Sequence, residues 1–218
     1  MDFKYRINSY NDYSEQLEKI MLENDVNSCL VLHRGEIYPI IHIASILGTI
    51  EQVEKLIEKG ASINQKTYWG NALHQALRFD RPDIGLYLIN KGIDINAEDV
   101  QGFTALIHAC SNGYEDIVDI LLEKGVQVNV HGGHDRTALN RALENSYNSI
   151  AKKLIDKGAY VDGDNRAYGW IPLTYCVRKN NKEMYEYLLK RGADPDYKDL
   201  KGNGESANEL RVKLNRDF

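Results

Sequence analysis

The side chains equipped for chemistry in this sequence are six histidines, three cysteines and a scatter of carboxylates, aromatics and arginines. Zinc takes three or four nitrogen or sulfur ligands with supporting contacts behind them, and His131-Gly132-Gly133-His134 supplies half of such a set at best. Cys29, Cys110 and Cys176 form no CxxC pair and are odd in number, so neither a zinc knuckle nor a disulfide framework is expected. A nucleophilic serine would sit in GxSxG, and a phosphate cradle in GxxxxGKS, GxxxxGKT or a strand-flanked GxGxxG. The chain has none of these, and Gly202-Asn203-Gly204 is a faint echo of the last. Asp94 and Asp196 stand where an Asx side chain ordinarily holds a turn. No enzymatic activity, cofactor or metal is therefore expected.

Composition narrows the alternatives further. The 218 residues allow one domain or two small ones, and 43% hydrophobic with 27% charged residues marks a folded chain rather than a disordered one. Lys and Arg number 27 against 32 Asp and Glu, and a net charge of −5 lacks the basic footprint of a nucleic-acid binder. The stretch MDFKYRINSYNDYSEQLEK carries charges throughout, so no secretory signal is expected there. The longest uncharged apolar-rich run, Ile37 to Ile50, is too short to span a bilayer. The expected setting is cytoplasmic, with reduced thiols and no membrane contact.

The segments VEKLIEKGASIN (53–64), GLYLINKGIDIN (85–96), VDILLEKGVQVN (118–129), AKKLIDKGAYVD (151–162) and YEYLLKRGADPD (185–196) share one pattern. Their glycines, Gly60, Gly92, Gly125, Gly158 and Gly192, are 32, 33, 33 and 34 residues apart. A second pattern precedes each: PIIHIAS (39–45), NALHQAL (71–77), TALIHAC (104–110), TALNRAL (137–143) and IPLTYCV (171–177). Apolar residues at helical spacing, such as Val118, Leu121 and Leu122, with a glycine just past the last turn, predict two short helices per unit. Helices of about ten residues are marginal alone, so each unit must bury its apolar stripe against the next. Ala44, Ala76, Ala109, Ala142 and Cys176 are small enough for first helices to approach closely, and Thr104 is placed to cap one of them.

This pattern resembles the ankyrin repeat. Asp99-x-x-Gly102-x-Thr104-Ala-Leu-x-x-Ala109 through Leu121-Leu122-x-x-Gly125-x-x-Val128-Asn129 matches it almost position by position. Departures include Pro39-Ile40-Ile41-His42 in the first unit and Thr174 in place of the repeat's histidine in the fifth. The resemblance implies an all-α solenoid of helix-turn-helix units with hairpin-like finger loops. The organisation expected is a capping helix and extended loop in 1–36, five repeats in 37–196, and a capping helix in 197–218. Within the first segment the helix is placed at 13–23 and an irregular finger around Cys29 to Glu36. The resemblance also implies that His42 and His74, in equivalent slots, bond neighbouring turns, and that Cys110 and Cys176 pack inside first helices.

The same resemblance implies that partners dock on the fingers and on the outward ends of the first helices, along a concave groove. The positions that map there are Tyr68, Trp69, Phe103, Arg136, Tyr168 and Trp170 on fingers, and Arg78, Phe79, His108, Arg141, Tyr175 and Arg178 on helices. Trp, Tyr and Arg dominate interface energetics, and an aromatic on an exposed finger invites a partner. The alternative use of these aromatics is to staple adjacent fingers. The function expected is a protein-protein interaction module, monomeric before binding, that takes a protein partner with an acidic contact surface. Its narrower form is a stoichiometric inhibitor or a toxin-neutralising immunity protein. A scaffold holding two proteins is the alternative, and a nucleic-acid surface is disfavoured by the net charge.

Overall fold

A computed structural model of the chain describes residues 5–6, 10–23, 25–31, 37–133, 136–163, 171–198 and 205–218. They form two compact units, 1–100 and 101–218. The first contains β1 (Tyr5–Arg6), α1 (Tyr10–Leu22), β2 (Cys29–Val31), β3 (Ile37–Pro39), α2 (Ile40–Leu47), α3 (Ile50–Glu58), α4 (Ala72–Arg78) and α5 (Pro82–Asn90). The second contains α6 (Ala105–Asn112), α7 (Glu115–Glu123), α8 (Ala138–Glu144), α9 (Asn148–Asp156), α10 (Pro172–Lys179), α11 (Lys182–Lys190) and α12 (Ala207–Leu214).

Each second helix ends in the same way, for the reason its glycine is there. After α3, Gly60 takes φ +92°, its N–H bonds the Ile57 carbonyl, and the Ala61 N–H reaches back to Leu56. This paired closure satisfies carbonyls that a helix end leaves open, and it requires a left-handed residue that glycine adopts at least cost. Gly125 repeats it after α7 with Val126 bonded to Leu121, and the residues that follow the glycines, such as Ala61, Ile93 and Val126, are buried.

Three of the first helices start on a side chain that accepts a backbone N–H, whereas α2 and α10 follow Pro39 and Ile171 and have no such cap. Asn71 serves α4, Thr104 serves α6 through Ile107 N–H, and Thr137 serves α8 through Asn140 N–H. Thr104→Ala is expected to lower stability by about 1 kcal/mol in urea unfolding, because the Ile107 N–H is buried and finds no other acceptor. Thr104→Ser, which keeps the hydroxyl, should avoid most of that loss.

The core of each unit is the apolar stripe of these short helices: Leu56, Leu73, Leu77 and Leu88 in the first, Leu121, Leu139, Leu154 and Leu173 in the second. Outward faces carry ion pairs between successive second helices. Glu54 bonds Tyr87 Oη at 3.2 Å and Lys91 at 3.5 Å, Lys153 spans Glu115 and Asp119 at 2.7 Å each, and Arg191 meets Asp156 at 2.6 Å.

Helix α1 lies close to the segment in which a helix was expected, and it buries Tyr13, Leu17 and Ile20. The expected irregular finger is corrected on its flanks, because Cys29–Val31 pairs antiparallel with Ile37–Pro39, with Leu30 opposite Tyr38. β1 adds parallel to β2 on the other side. Backbone N–H and C=O groups need partners, and Leu, Val, Ile and Tyr favour meeting that need as strands. The tip between β2 and β3, residues 32–36, lies outside the described residues.

Candidate protein-binding site

In the first unit the finger between α3 and α4 folds on itself, with the Thr67 N–H bonding the Gly70 carbonyl at 2.9 Å and the reverse bond at 3.1 Å. Tyr68 and Trp69 are thereby forced to the tip. The Trp69 carbonyl accepts Gln75 Nε2 at 2.7 Å from α4, and the Tyr68 carbonyl accepts the N–H of Val100 at 3.1 Å. Finger backbone, first helix and next finger are thus tied together.

On this frame four expected residues meet. The guanidinium carbon of Arg78 lies 4.4 Å from the Trp69 ring centre and 5.9 Å from that of Phe79, and Tyr68 sits edge-on to Trp69 at 4.8 Å. Tyr68 is 61% exposed and Phe79 47% exposed, so the cluster faces water. Among the described residues Arg78 meets these rings and no carboxylate. Stacking on an aromatic orders an arginine while leaving its donors open for a carboxylate.

The second unit treats its candidates differently. Phe103 is 8% exposed: its ring packs on Gly132, where an added Cβ would stand 3.1 Å from it, and lies 5.7 Å from His108 and 5.9 Å from the guanidinium of Arg141. Arg141 is bonded to Glu144 at 2.6 Å, and its Nε is buried. Phe103 and Arg141, expected to face a partner, are therefore inward staples, because a glycine in the following finger opens the space that the ring fills. His108 is half-buried beside them.

Tyr175 is half-buried as well, and burial, followed by the Glu144 carboxylate, pushes its phenol up. Arg136 and Arg178 are exposed, as is Lys179, and Arg136 and Lys179 meet no carboxylate among the described residues. Tyr168, Trp170 and His134 lie outside the described residues.

His42 and His74, on α2 and α4, are structural. His42 is fully buried and gives Nε2 to the Gln65 carbonyl at 2.8 Å, a neighbouring turn as the resemblance implies. His74 instead closes the start of its own helix, with Nδ1 at 2.7 Å from Asn71 Oδ1. Cys110 and Cys176 are buried free thiols; burial pushes both up, Cys176 to about 12, which suppresses thiolate. Asp94 accepts the Asn96 N–H at 3.1 Å, the turn role expected of it. Among the described residues no three His, Cys, Asp or Glu side chains converge as a metal would require, and no helix is long and apolar enough to cross a membrane.

A family model described as ankyrin repeats, in three copies, matches residues 8–99, 41–132, 98–165 and 131–199. The chain belongs to the ankyrin-repeat family. Ankyrin repeats are generally protein-protein interaction modules, and the family is typically non-enzymatic. The chain is 31% identical over 77 residues to a Caenorhabditis elegans homolog of transient receptor potential cation channel subfamily A member 1, covering 35% of this chain and 6% of that protein. It is 37% identical over 73 residues to the E3 ubiquitin-protein ligase hecd-1 of the same organism, covering 34% of this chain and 3% of that protein. The matched stretch is thus a small part of each of these relatives.

Proposed function

We propose that this ankyrin-repeat chain binds a protein with an acidic contact surface through its finger tips and first-helix ends, acting by occupancy rather than chemistry. Five repeats over 37–196, closed by 1–36 and 197–218, form the binding body. Tyr68, Trp69, Arg78 and Phe79 are the anchor in the first unit. Arg136, Tyr175 and Arg178, together with Tyr168 and Trp170, carry contacts in the second, while Phe103, His108 and Arg141 hold the finger that presents Arg136. Occupancy at one-to-one ratio suits an inhibitor, of which a toxin-neutralising immunity protein is one form. The chain works as a monomer in a reducing, cytoplasmic setting.

The observation that carries this reading is the Arg78 guanidinium, stacked on Trp69 beside two exposed aromatics and, among the described residues, left without a carboxylate. Glu54, Glu115 and Asp119 on the outward faces are taken up by their neighbours, whereas this cation is not. Desolvating a pre-ordered arginine against a partner carboxylate, with aromatics excluding water around it, is how interface hot spots are built.

The immobilised chain should retain a stoichiometric protein from a lysate of its source organism, and Trp69→Ala with Arg78→Ala should weaken that retention at least about 30-fold, the loss of one anchor or more. Arg78→Glu should weaken it further. Retention unchanged by both variants, with helical content intact, would refute the site. Simultaneous retention of two distinct proteins would replace the inhibitor by a scaffold.

A further inference from the structure

Helix α12 ends on a pocket of about 370 Å³ that the partner-binding reading leaves unused, lined by Asn208, Arg211, Val212, Asn215 and Arg216. Its walls hold two guanidinium groups and no carboxylate, in a chain of net charge −5. The two arginines meet because the chain reverses at Asn215, which takes φ +51°. The Arg216 N–H then bonds the Arg211 carbonyl at 3.0 Å and the Asn215 N–H bonds the Val212 carbonyl at 3.2 Å. This closure folds Arg216 back beside Arg211, and it occupies carbonyls whose helix-end dipole would otherwise repel an anion.

Both Arg211 Nε and Arg216 Nε are shut off from solvent and have no hydrogen-bond partner among the described residues. Neither Nε can be reached by an oxygen in the pocket, so the donors that a ligand would meet there are the terminal Nη groups of the two guanidinium ions. Neighbouring cations are matched: Lys198 to Glu209 at 2.5 Å, Lys213 to Glu205 at 2.7 Å. Arg211 has a long 3.4 Å bond to Asn208 Oδ1, and its guanidinium lies 5.3 Å from the Tyr185 ring centre, which holds it in place. Asn208 gives one of its two Nδ2–H groups to Asp196 at 2.8 Å, so the donors left to a ligand are the other one and those of Arg211, Arg216 and Asn215. Val212, 83% exposed, forms an apolar rim.

We propose that this pocket binds a phosphate monoester, its phosphate on Arg211 and Arg216 and its organic group against Val212. A monoester carries a charge near −2 at neutral pH, which matches two guanidinium groups, and its oxygens accept the forked donors that arginine presents. The volume falls within the range of small-molecule sites.

The full chain, labelled with nitrogen-15, would be titrated with phenyl phosphate at constant ionic strength, with benzoate and chloride in parallel. The Arg211 and Arg216 Nε–H signals and the backbone amides of 208–216 should move saturably with phenyl phosphate, and benzoate should bind at least about tenfold more weakly. Arg216→Gln should weaken phenyl phosphate about tenfold or more, as should Arg211→Gln, while Lys213→Gln should leave it unchanged. If Arg211→Gln disturbs folding through loss of its Tyr185 contact, Arg216→Gln decides alone. No saturable shift, a chloride response of equal size, benzoate as tight as phenyl phosphate, or undiminished binding by Arg216→Gln would each overturn the proposal.

Discussion

Gly70→Ala is expected to lower stability by about 3 kcal/mol in urea unfolding, while Gly92→Ala lowers it by only about 1 kcal/mol. Both glycines have positive φ, +86° and +83°, so both pay for a Cβ in the left-handed region. They differ in what that Cβ would meet. At Gly92 nothing lies within 4 Å, but at Gly70 the His74 ring stands at 2.5 to 2.9 Å. That ring cannot move freely, because Nδ1 bonds the Asn71 side chain at 2.7 Å at the start of α4. Displacing it breaks the helix cap and shifts the finger that presents Tyr68 and Trp69. Equal losses for the two variants would show that the ring yields, and that the cap does not fix the finger.

Acid should destabilise the fold through His42 by up to about 3 kcal/mol between pH 6.5 and pH 4. Burial lowers this imidazole from 6.5 to about 4, partly opposed by its bond to the Gln65 carbonyl. A carbonyl only accepts, so Nε2 carries the proton and Nδ1 is left buried without a partner. A second proton would have to sit on that nitrogen, with no acceptor and no water. The unfolded chain therefore protonates first as pH falls through 6.5. Stability from this group is full above that pH, declines below it, and levels off once pH passes about 4. His42→Gln keeps a donor near Gln65 and removes the titration. Urea midpoints of the wild type should fall more steeply with acid than those of the variant over this window, and parallel profiles would refute the assignment.

Much of the ankyrin architecture is legible in the sequence because it rests on local rules. A glycine after each second helix reports a left-handed closure, and Asn71, Thr104 and Thr137 before α4, α6 and α8 report caps; both act within about six residues, so spacing alone reveals them. The paired strands around residues 29–39 were less legible: three-residue strands have no periodicity to detect, and their partners are set by the return of the chain.

The site divides along the same line. From spacing alone, Trp69 and Phe103 are both finger aromatics and equally entitled to face a partner. Their separation came from packing: Phe103 found Gly132, which leaves room for a ring, whereas Trp69 found Arg78 on an exposed helix end. Likewise Arg211 and Arg216 read as ordinary surface cations until a left-handed asparagine, with no glycine to signal it, folds one onto the other. Sequence by itself determined the helices, their caps and the repeat, which are interactions between near neighbours along the chain. Tertiary structure alone decided which side chains are left with open donors and exposed rings, because that depends on what distant residues place beside them.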